Sequence, residues 1–226
     1  MKGRKNVMSL AEDALNLLFP PHCPICGAYV EARGGWCGDC LRKNLDVHLL
    51  ALEPEVNRVI SKAWAFGHYR SGLRNLLRDL KYKNKKQVLP YIRTLQRAGA
   101  PTLSSLLGED ILAVPVPLHK AREKERGFNQ AELLFREWLE EHGIFMEPIL
   151  LRCRDTNPQY GLGAVERRNN LKDAFEIKKG VSLDGRNVLL VDDILTTGAT
   201  LYECAKVLKR NGAGKIYALV MASDRG

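Results

Sequence analysis

The segment that most constrains this chain is an apolar run followed by two adjacent carboxylates and a loop of small hydroxylated residues, Val188–Thr200 (VLLVDDILTTGAT). A continuous apolar run is typical of a parallel strand buried on both faces, which places a strand at Val188–Val191. Asp192 and Asp193 then stand at its carboxyl end, where open α/β sheets bind their ligands. The sequence therefore predicts an α/β fold with a ligand site at this edge of its sheet.

The loop after the two carboxylates has the composition of a phosphate-binding turn. It supplies hydroxyls and closely spaced backbone N–H groups just before a predicted helix N-terminus, where the helix dipole favours an anion. A phosphate site beside two acids fits a sugar phosphate whose hydroxyls contact the carboxylates. The predicted phosphate-binding residues are Thr196, Thr197, Gly198, Ala199 and Thr200.

Three other interpretations of this segment are weaker. A Walker A loop has a Lys directly after its closing Gly, whereas Ala199 follows Gly198 here. Phosphoacceptor receiver domains carry their acids after the first strand, and only 33 residues follow Asp193 in this chain, too few for the rest of that fold. The third is a chance strand–turn–helix whose acids are merely solvated.

Four of the six cysteines form two CxxC pairs that are ten residues apart. Four thiolates at this spacing favour a closed, tetrahedral zinc site. A disulfide pair is disfavoured in the cytosol, and a redox CxxC would be expected once, beside a βαβ unit. His22 and His48 flank this module and are interpreted as bystanders. The predicted ligands of a structural Zn²⁺ are Cys23, Cys26, Cys37 and Cys40.

The net charge of +9 is concentrated in one stretch, residues 70–97, which carry nine Lys or Arg against the single acid Asp79. Such a field attracts nucleic acid or a strongly anionic small molecule, and charge alone does not separate the two. A solvated helix face is the structural alternative for most of these side chains. The nine are Arg70, Arg74, Arg78, Lys81, Lys83, Lys85, Lys86, Arg93 and Arg97.

No apolar run approaches the length that spans a bilayer, so we expect no membrane insertion and a cytoplasmic location. The N-terminus begins with basic residues, but Glu12 and Asp13 interrupt its apolar part and no small-residue cleavage site follows, which argues against a signal peptide. Its apolar residues recur at helical spacing. This predicts an amphipathic helix that packs on the protein or a partner, with binding to a membrane surface as the alternative.

The pattern divides the chain into an N-terminal helix (1–19), a zinc ribbon (20–50) and an α/β domain (51–226). Strands that alternate with helices predict a doubly wound, mostly parallel sheet. The expected strands are Ala63–Tyr69, Ile111–Val116, Pro148–Leu151, Val188–Val191 and Lys215–Met221. The expected helices are Ser71–Lys81, Gln130–His142 and Leu201–Lys209.

Two loops carry further candidate chemistry. The first, Pro117–Gln130, follows a central strand and carries groups that are candidates to neutralise a pyrophosphate: the basic residues Lys120, Arg122, Lys124 and Arg126, with Asn129 and Gln130 adding hydrogen bonds. The second, Arg152–Asn170, is a long Gly- and Arg-containing connection, typical of a lid that excludes water from a reacting centre. The structural alternatives are a charged surface loop and a mobile surface loop.

The segment around Asp192 and Asp193 closely resembles the phosphoribosyl pyrophosphate (PRPP) motif of type I phosphoribosyltransferases, whose two acids hold the ribose 2′ and 3′ hydroxyls and whose loop holds the 5-phosphate. From Cys23 to about Met221 the chain resembles the ComF family, competence-protein homologues of phosphoribosyltransferases with an N-terminal zinc ribbon. The shared elements are CPICG and CGDC, Leu80-Lys81-Tyr82, Pro115-Val116-Pro117-Leu118, the RGFNQA run that begins at Arg126, Asp155-Thr156 with Gln159, Arg167-Arg168-Asn169 and VDDILTTGAT.

The resemblance implies a type I phosphoribosyltransferase fold with a small zinc-ribbon module, associated with import of single-stranded DNA during transformation beside a helicase-type ATPase. Two function classes stay open. The first is a Mg²⁺-dependent transferase that displaces pyrophosphate from PRPP, in which Asp192 and Asp193 orient the ribose and Arg126 with Lys120 stabilises the leaving group. The second is a non-catalytic adaptor that binds single-stranded DNA and the ATPase and keeps the PRPP pocket as a ligand sensor.

Overall fold

The computed structural model describes residues 16, 18–107, 110–154 and 171–224. Its strands are β1 (His48–Leu49), β2 (Lys62–His68), β3 (Ile111–Pro115), β4 (Leu150–Arg152), β5 (Phe175–Ile177), β6 (Asn187–Leu195) and β7 (Ile216–Ser223). Its helices are α1 (Gly38–Asn44), α2 (Pro54–Asn57), α3 (Ser71–Lys83), α4 (Leu89–Gly99), α5 (Ser104–Leu107), α6 (Lys120–Arg126), α7 (Gln130–Glu140) and α8 (Ala199–Arg210). Two 3₁₀ turns, Lys86–Val88 and Ala100–Leu103, flank α4.

Five strands form a central sheet in the order β1-β2-β7-β6-β3. The pairs β2–β7, β7–β6 and β6–β3 are parallel, and only the edge strand β1 is antiparallel, against β2. This confirms the predicted mostly parallel sheet. It also brings the carboxyl ends of β3, β6 and β7 to one edge, where the candidate site lies.

Alternate side chains of β6 belong to two different hydrophobic cores. Leu189 and Val191 pack in the core that contains Trp138 of α7 and the buried leucines of α3 and α4. Val188 and Leu190 pack in the core that contains Cys204 of α8. Because helices cover both faces, the strand is apolar at every position, and the doubly wound prediction is confirmed.

The strand β6 extends four residues past its predicted end at Val191. Backbone pairing with β7 continues through Asp192, opposite Val220, and through Ile194, opposite Ala222. The two carboxylates therefore lie within the strand and not beyond it. Adjacent strand residues point to opposite faces, so this extension separates the two carboxylates onto different sides of the sheet.

The chain between β3 and β6 differs from the predictions in two places: an expected strand forms outside the central sheet, and an expected loop contains a helix. The strand expected at Pro148–Leu151 is β4, which pairs antiparallel with β5 in a separate two-stranded sheet. The expected loop Pro117–Gln130 contains the helix α6, which ends where Gly127 adopts a left-handed conformation at φ +77°. Gly127 N–H donates to the carbonyl of Glu123 at 2.7 Å and closes the last turn.

Two predicted features lie largely outside the described residues, namely the N-terminal helix (1–19) and the lid (Arg152–Asn170). The structure does not test them, nor the predicted domain boundaries. Within the described ranges, no helix combines the length and the apolar character that crossing a membrane requires.

Candidate functional site

An ion pair joins α3 to β6 at the carboxyl edge of the sheet. Lys81 Nζ lies 3.1 Å from Asp193 Oδ2, and the two side chains are 26% and 13% exposed. Asp193 faces the same side of the sheet as Val191, the side that α3 covers. Asp192 points to the opposite side, close to Cys204 of α8. Burial is the main cause that raises the pKa of the Cys204 thiol, and the charge of Asp192 raises it further.

The two carboxylates have different electrostatic surroundings. Burial, together with the neighbouring carboxylate of Asp193, raises the pKa of Asp192 to about 8, although the Asp193 N–H donates to Asp192 Oδ1 at 2.8 Å. On the other side of the sheet, the carboxylate of Asp193 raises the pKa of Lys81. Asp192 is therefore the acid whose charge changes near physiological pH.

The predicted phosphate loop is continuous with β6 and ends in the first turn of α8. Gly198 adopts φ +78°, a left-handed conformation that side chains disfavour, and this turns the chain into the helix. Ala199 N–H faces Thr197 Oγ1 at 3.4 Å, and Tyr202 N–H donates to the Gly198 carbonyl. All five predicted phosphate-binding residues thus lie together at the N-terminus of a twelve-residue helix.

Helix α6 holds the two predicted pyrophosphate ligands at its opposite ends. Arg126 Nη1 donates to Gln130 Oε1 at 3.0 Å, and its guanidinium lies 6.0 Å from the centre of the Tyr82 ring. Lys120 lies at the other end, near Cys153. Burial and Glu176 raise the pKa of the Cys153 thiol, whereas the positive charge of Lys120 lowers it. The helix rise separates the two backbone positions by about 9 Å.

Lys81 is the site residue that sequence reasoning missed. It appeared only as one of nine basic residues and as a member of the shared LKY element, without a role. The same element places Tyr82 against Arg126, and Lys86 Nζ lies 5.0 Å from the Phe128 ring. The C-terminal end of α3, which holds Asp193 through Lys81, therefore also contacts the RGF segment.

Much of the basic stretch 70–97 is paired with acids. Lys83 Nζ and Lys85 Nζ contact Asp79 at 2.7 and 3.2 Å. The hydrogen bond from Lys83 is the main cause that lowers the pKa of the Asp79 carboxyl group. Two arginines of α4 pair with glutamates that follow or belong to α7, as Arg93 with Glu137 and Arg97 with Glu141. Four of the nine basic residues have no acid within ion-pair distance in the described part of the chain. They are Arg70, Arg74, Arg78 and Lys86.

The four predicted zinc ligands converge on one point. The sulfurs of Cys23, Cys26, Cys37 and Cys40 all lie within 4.8 Å of one another, and those of Cys26 and Cys37 are 3.6 Å apart. A tetrahedral Zn²⁺ with Zn–S bonds of about 2.3 Å needs sulfurs about 3.8 Å apart, so the donors fit this ion. Burial of Cys23 opposes its ionisation, but N–H groups of the two knuckles bring its pKa down to about 6.

The ribbon packs directly on the α/β domain. Trp36 Nε1 donates to the Tyr91 carbonyl of α4 at 2.8 Å, and Asn44 Oδ1 accepts from the Leu73 N–H of α3 at 2.9 Å. Cys23 and Cys40 belong to the same hydrophobic core as α3 and α4. The metal site therefore supports the helix that carries Lys81.

Comparison with protein families matches residues 14–47 to a double zinc ribbon domain and residues 157–226 to a phosphoribosyl transferase domain. Together with the mostly parallel sheet, these matches confirm the predicted fold class. The ribbon match contains one four-cysteine set.

Three relatives align with most of the chain. Competence protein F of Haemophilus influenzae is 32% identical over 204 residues, 87% of this chain and 82% of the relative. The DNA utilization protein YhgH of Escherichia coli (strain K12) is 32% identical over 200 residues, 86% of this chain and 80% of the relative. Competence protein ComFC of Bacillus subtilis (strain 168) is 30% identical over 193 residues, 84% of this chain and 72% of the relative.

Proposed function

Because the chain belongs to the family of competence protein F and ComFC, we propose that it binds PRPP at the carboxyl edge of its sheet and serves DNA uptake in the cytoplasm. The names of the relatives, competence and DNA utilization proteins, support the cellular process. The phosphoribosyl transferase domain and the motif around Asp192 support the ligand.

The observation that carries the ligand proposal is the continuity of β6, the left-handed turn and α8. One continuous segment holds the Asp192 and Asp193 carboxylates, the hydroxyl-bearing loop and a helix N-terminus. In the proposed complex the loop binds the 5-phosphate through N–H groups and hydroxyls, because the helix dipole favours a dianion there. The carboxylates accept hydrogen bonds from the ribose hydroxyls.

The electrostatics of the two acids support a cation together with the ligand. Asp192 has its pKa raised to about 8 by burial and by the Asp193 carboxylate, so it is largely protonated at pH 7. A divalent cation favours the ionised form of a carboxyl group that it contacts. We therefore assign Mg²⁺ to the PRPP complex, in which Asp192 would hold the ion and the ion would favour the ionised form of that carboxyl group.

A transferase reaction at this site would break the bond between ribose C1 and pyrophosphate. Arg126 and Lys120 are the proposed stabilisers of the departing pyrophosphate, one from each end of α6. Helix α6 follows the carboxyl end of β3, the strand next to β6, so both residues belong to the connection that leaves the sheet at this edge. Fixed positive charges at this position would stabilise charge that develops on the leaving group.

A second candidate function, an adaptor that binds single-stranded DNA and a helicase-type ATPase, is favoured by one surface. Arg70, Arg74 and Arg78 recur every fourth residue from the N-cap of α3 onwards, and all three are exposed. Residues four apart share a helix face and are about 6 Å apart along the axis. Such a row matches a phosphate backbone, whereas Lys83 and Lys85 are paired with Asp79.

Calorimetry with PRPP and Mg²⁺ tests the ligand proposal. We expect the wild-type chain to bind, and Asp192→Asn with Asp193→Asn to abolish binding while the circular dichroism spectrum stays unchanged. The matched control is Asp110→Asn, an exposed acid that precedes β3 at the opposite edge of the sheet. Unchanged affinity in the double variant would contradict the assignment of the site.

The arginine row is tested separately, by fluorescence anisotropy with labelled single-stranded DNA. Arg74→Ala with Arg78→Ala should weaken binding and flatten its salt dependence, because fewer phosphates are neutralised. Lys83→Ala with Lys85→Ala is the control that removes equal charge from paired positions. Equal effects of the two variants would contradict a specific role of the row.

A further inference from the structure

A second group of metal-ligating side chains, Asp46, His48 and His68, lies at the carboxyl end of β2, which β7 separates from β6, and is distinct from the four cysteines. We propose that these three residues bind a second divalent metal ion of the late first-row series, for which Zn²⁺ is the probe. The proposal does not depend on PRPP or DNA binding. It concerns the outer edge of the central sheet, next to the zinc ribbon.

The pairing of β1 with β2 brings the three residues together. Asp46 N–H donates to the Phe66 carbonyl at 2.9 Å, and His48 lies opposite Ala65 in the antiparallel pair. His68 is the last residue of β2. In an antiparallel pair, the start of one strand lies beside the end of the other. Asp46, just before β1, therefore lies beside His68 at the end of β2. Chain positions about twenty residues apart thus form one cluster.

The donor atoms are close enough to share one ion. His68 Nε2 lies 2.9 Å from Asp46 Oδ2, His48 Nδ1 lies 3.9 Å from the same oxygen, and the donors of all three lie within 4.8 Å of one another. A tetrahedral Zn²⁺ holds N and O donors at about 2.0–2.1 Å, which sets them about 3.4 Å apart. Side-chain adjustments on the order of 1 Å therefore close the site.

The two imidazole rings of the cluster lie against each other. The imidazoles of His48 and His68 stack with centroids 4.7 Å apart and planes inclined by 23°. Metal ions take neutral imidazoles as ligands. His48 Nδ1 donates to the Asp46 backbone carbonyl at 2.7 Å, whereas His48 Nε2 is buried and has no hydrogen-bond partner among the described residues. Binding an ion at Nδ1 therefore moves the ring proton from Nδ1 to Nε2 and replaces that hydrogen bond.

The exposure of the cluster gives an ion access from solvent. The side chains of His48 and His68 are 19% and 24% exposed, whereas that of Asp46 is 60% exposed. The packed strands hold the rings, and the carboxylate closes the site from outside. Three protein ligands leave at least one coordination position for water. Two imidazoles and a carboxylate suit Zn²⁺ and its late first-row neighbours better than Mg²⁺ or Ca²⁺.

This site is separate from the one that the ribbon match describes. That match ends at residue 47, before both histidines, and its four-cysteine set is Cys23, Cys26, Cys37 and Cys40. The donors also differ in kind, because the cysteine site is all sulfur and the second cluster has only nitrogen and oxygen. Spectroscopy can therefore distinguish the two ions.

The test is calorimetric titration of Zn²⁺ into the full chain already loaded with one equivalent of Zn²⁺. We expect one further equivalent to bind. His68→Gln should weaken that second event at least about tenfold, since loss of an outer-shell partner alone costs about 10–100-fold. His22→Gln is the matched control, because His22 is an exposed histidine of the ribbon outside the cluster. It should leave the second event unchanged.

Asp46→Asn and a Co²⁺ titration complete the test. Asp46→Asn alters an exposed side chain, keeps one oxygen and should also weaken the second event. Bound second, Co²⁺ should add d–d absorption without sulfur-to-metal charge transfer. The proposal is overturned if wild type takes up a single equivalent, if His68→Gln and His22→Gln behave alike, or if the second ion shows sulfur bands. An unchanged first equivalent in every variant verifies the fold.

Discussion

Replacing Lys81 by Met tests whether the contact between α3 and β6 is a coupled charge pair. Met is similar in length and removes only the charge, which leaves the Asp193 carboxylate without its partner. The two side chains are 26% and 13% exposed. The exposure of this pair is therefore intermediate between that of a surface ion pair and that of a buried one. A surface ion pair contributes about 0–1 kcal/mol to stability, whereas removing one partner of a buried pair costs about 3–5 kcal/mol. We expect the free energy of unfolding at pH 7 to fall by about 1–3 kcal/mol.

Thermal denaturation measures this loss. For a domain of this size, 1 kcal/mol corresponds to about 2–4 °C, so the melting temperature should fall by about 2–12 °C. Adding Asp193→Asn should restore part of the stability, because the carboxylate that lost its partner is then gone. Lys83→Met is the matched control: Lys83 lies on the same helix, is 63% exposed and pairs with Asp79, so its loss should cost less than about 1 kcal/mol.

Mg²⁺ and PRPP give the Lys81→Met variant a second readout. The ion brings positive charge to the carboxylates, so the ligand should raise the melting temperature of the variant more than that of wild type. Two results would refute the reasoning. One is a Lys81→Met variant as stable as Lys83→Met. The other is a double variant whose loss equals the sum of the single losses, which would mean that Lys81 and Asp193 are not coupled.

Three further predictions follow from the described contacts. The folded chain holds the pKa of Asp192 above its usual value, at about 8, so the folded state binds a proton that the unfolded state has released. The free energy of unfolding should therefore fall as pH rises from about 4 to 8. Asp192→Asn should flatten that part of the plot of unfolding free energy against pH. Cys37→Ser with Cys40→Ser should remove about one Zn²⁺ per chain, by metal analysis, and unfold the ribbon. Alanine at Gly198 should cost about 1 kcal/mol of unfolding free energy, because φ is +78° there, and weaken PRPP binding in calorimetry.

The features that local sequence patterns predicted are those whose environment is local or uniform. The strand containing Val188–Val191 is buried on both faces, so every position is apolar and the strand is visible without any partner. The zinc ligands lie within eighteen residues and follow a spacing set by one ion. The leucines of α3 recur at helical spacing because one face is buried. In each case the constraint acts on neighbouring residues.

The features that were missed depend on long-range pairing. Lys81 and Asp193 are 112 residues apart, and nothing near Lys81 indicates which acid it meets. The proximity of His48 to His68 was not predicted, because the two-residue strand that aligns them has too little pattern to detect. The extension of β6 beyond Val191 is set by pairing with β7, which side-chain polarity does not report. Helix α6 was taken as a loop because its charged residues form no apolar face.

The most direct test of the central claim is calorimetry of PRPP with the wild-type chain, with and without Mg²⁺, near pH 7 in buffers of different ionisation enthalpy. The account predicts binding that requires Mg²⁺ and releases a proton, because Asp192, with its pKa at about 8, must ionise to meet the ion. That proton release should disappear in Asp192→Asn. Absence of PRPP binding at any Mg²⁺ concentration, or binding that neither requires Mg²⁺ nor releases a proton, would contradict the account.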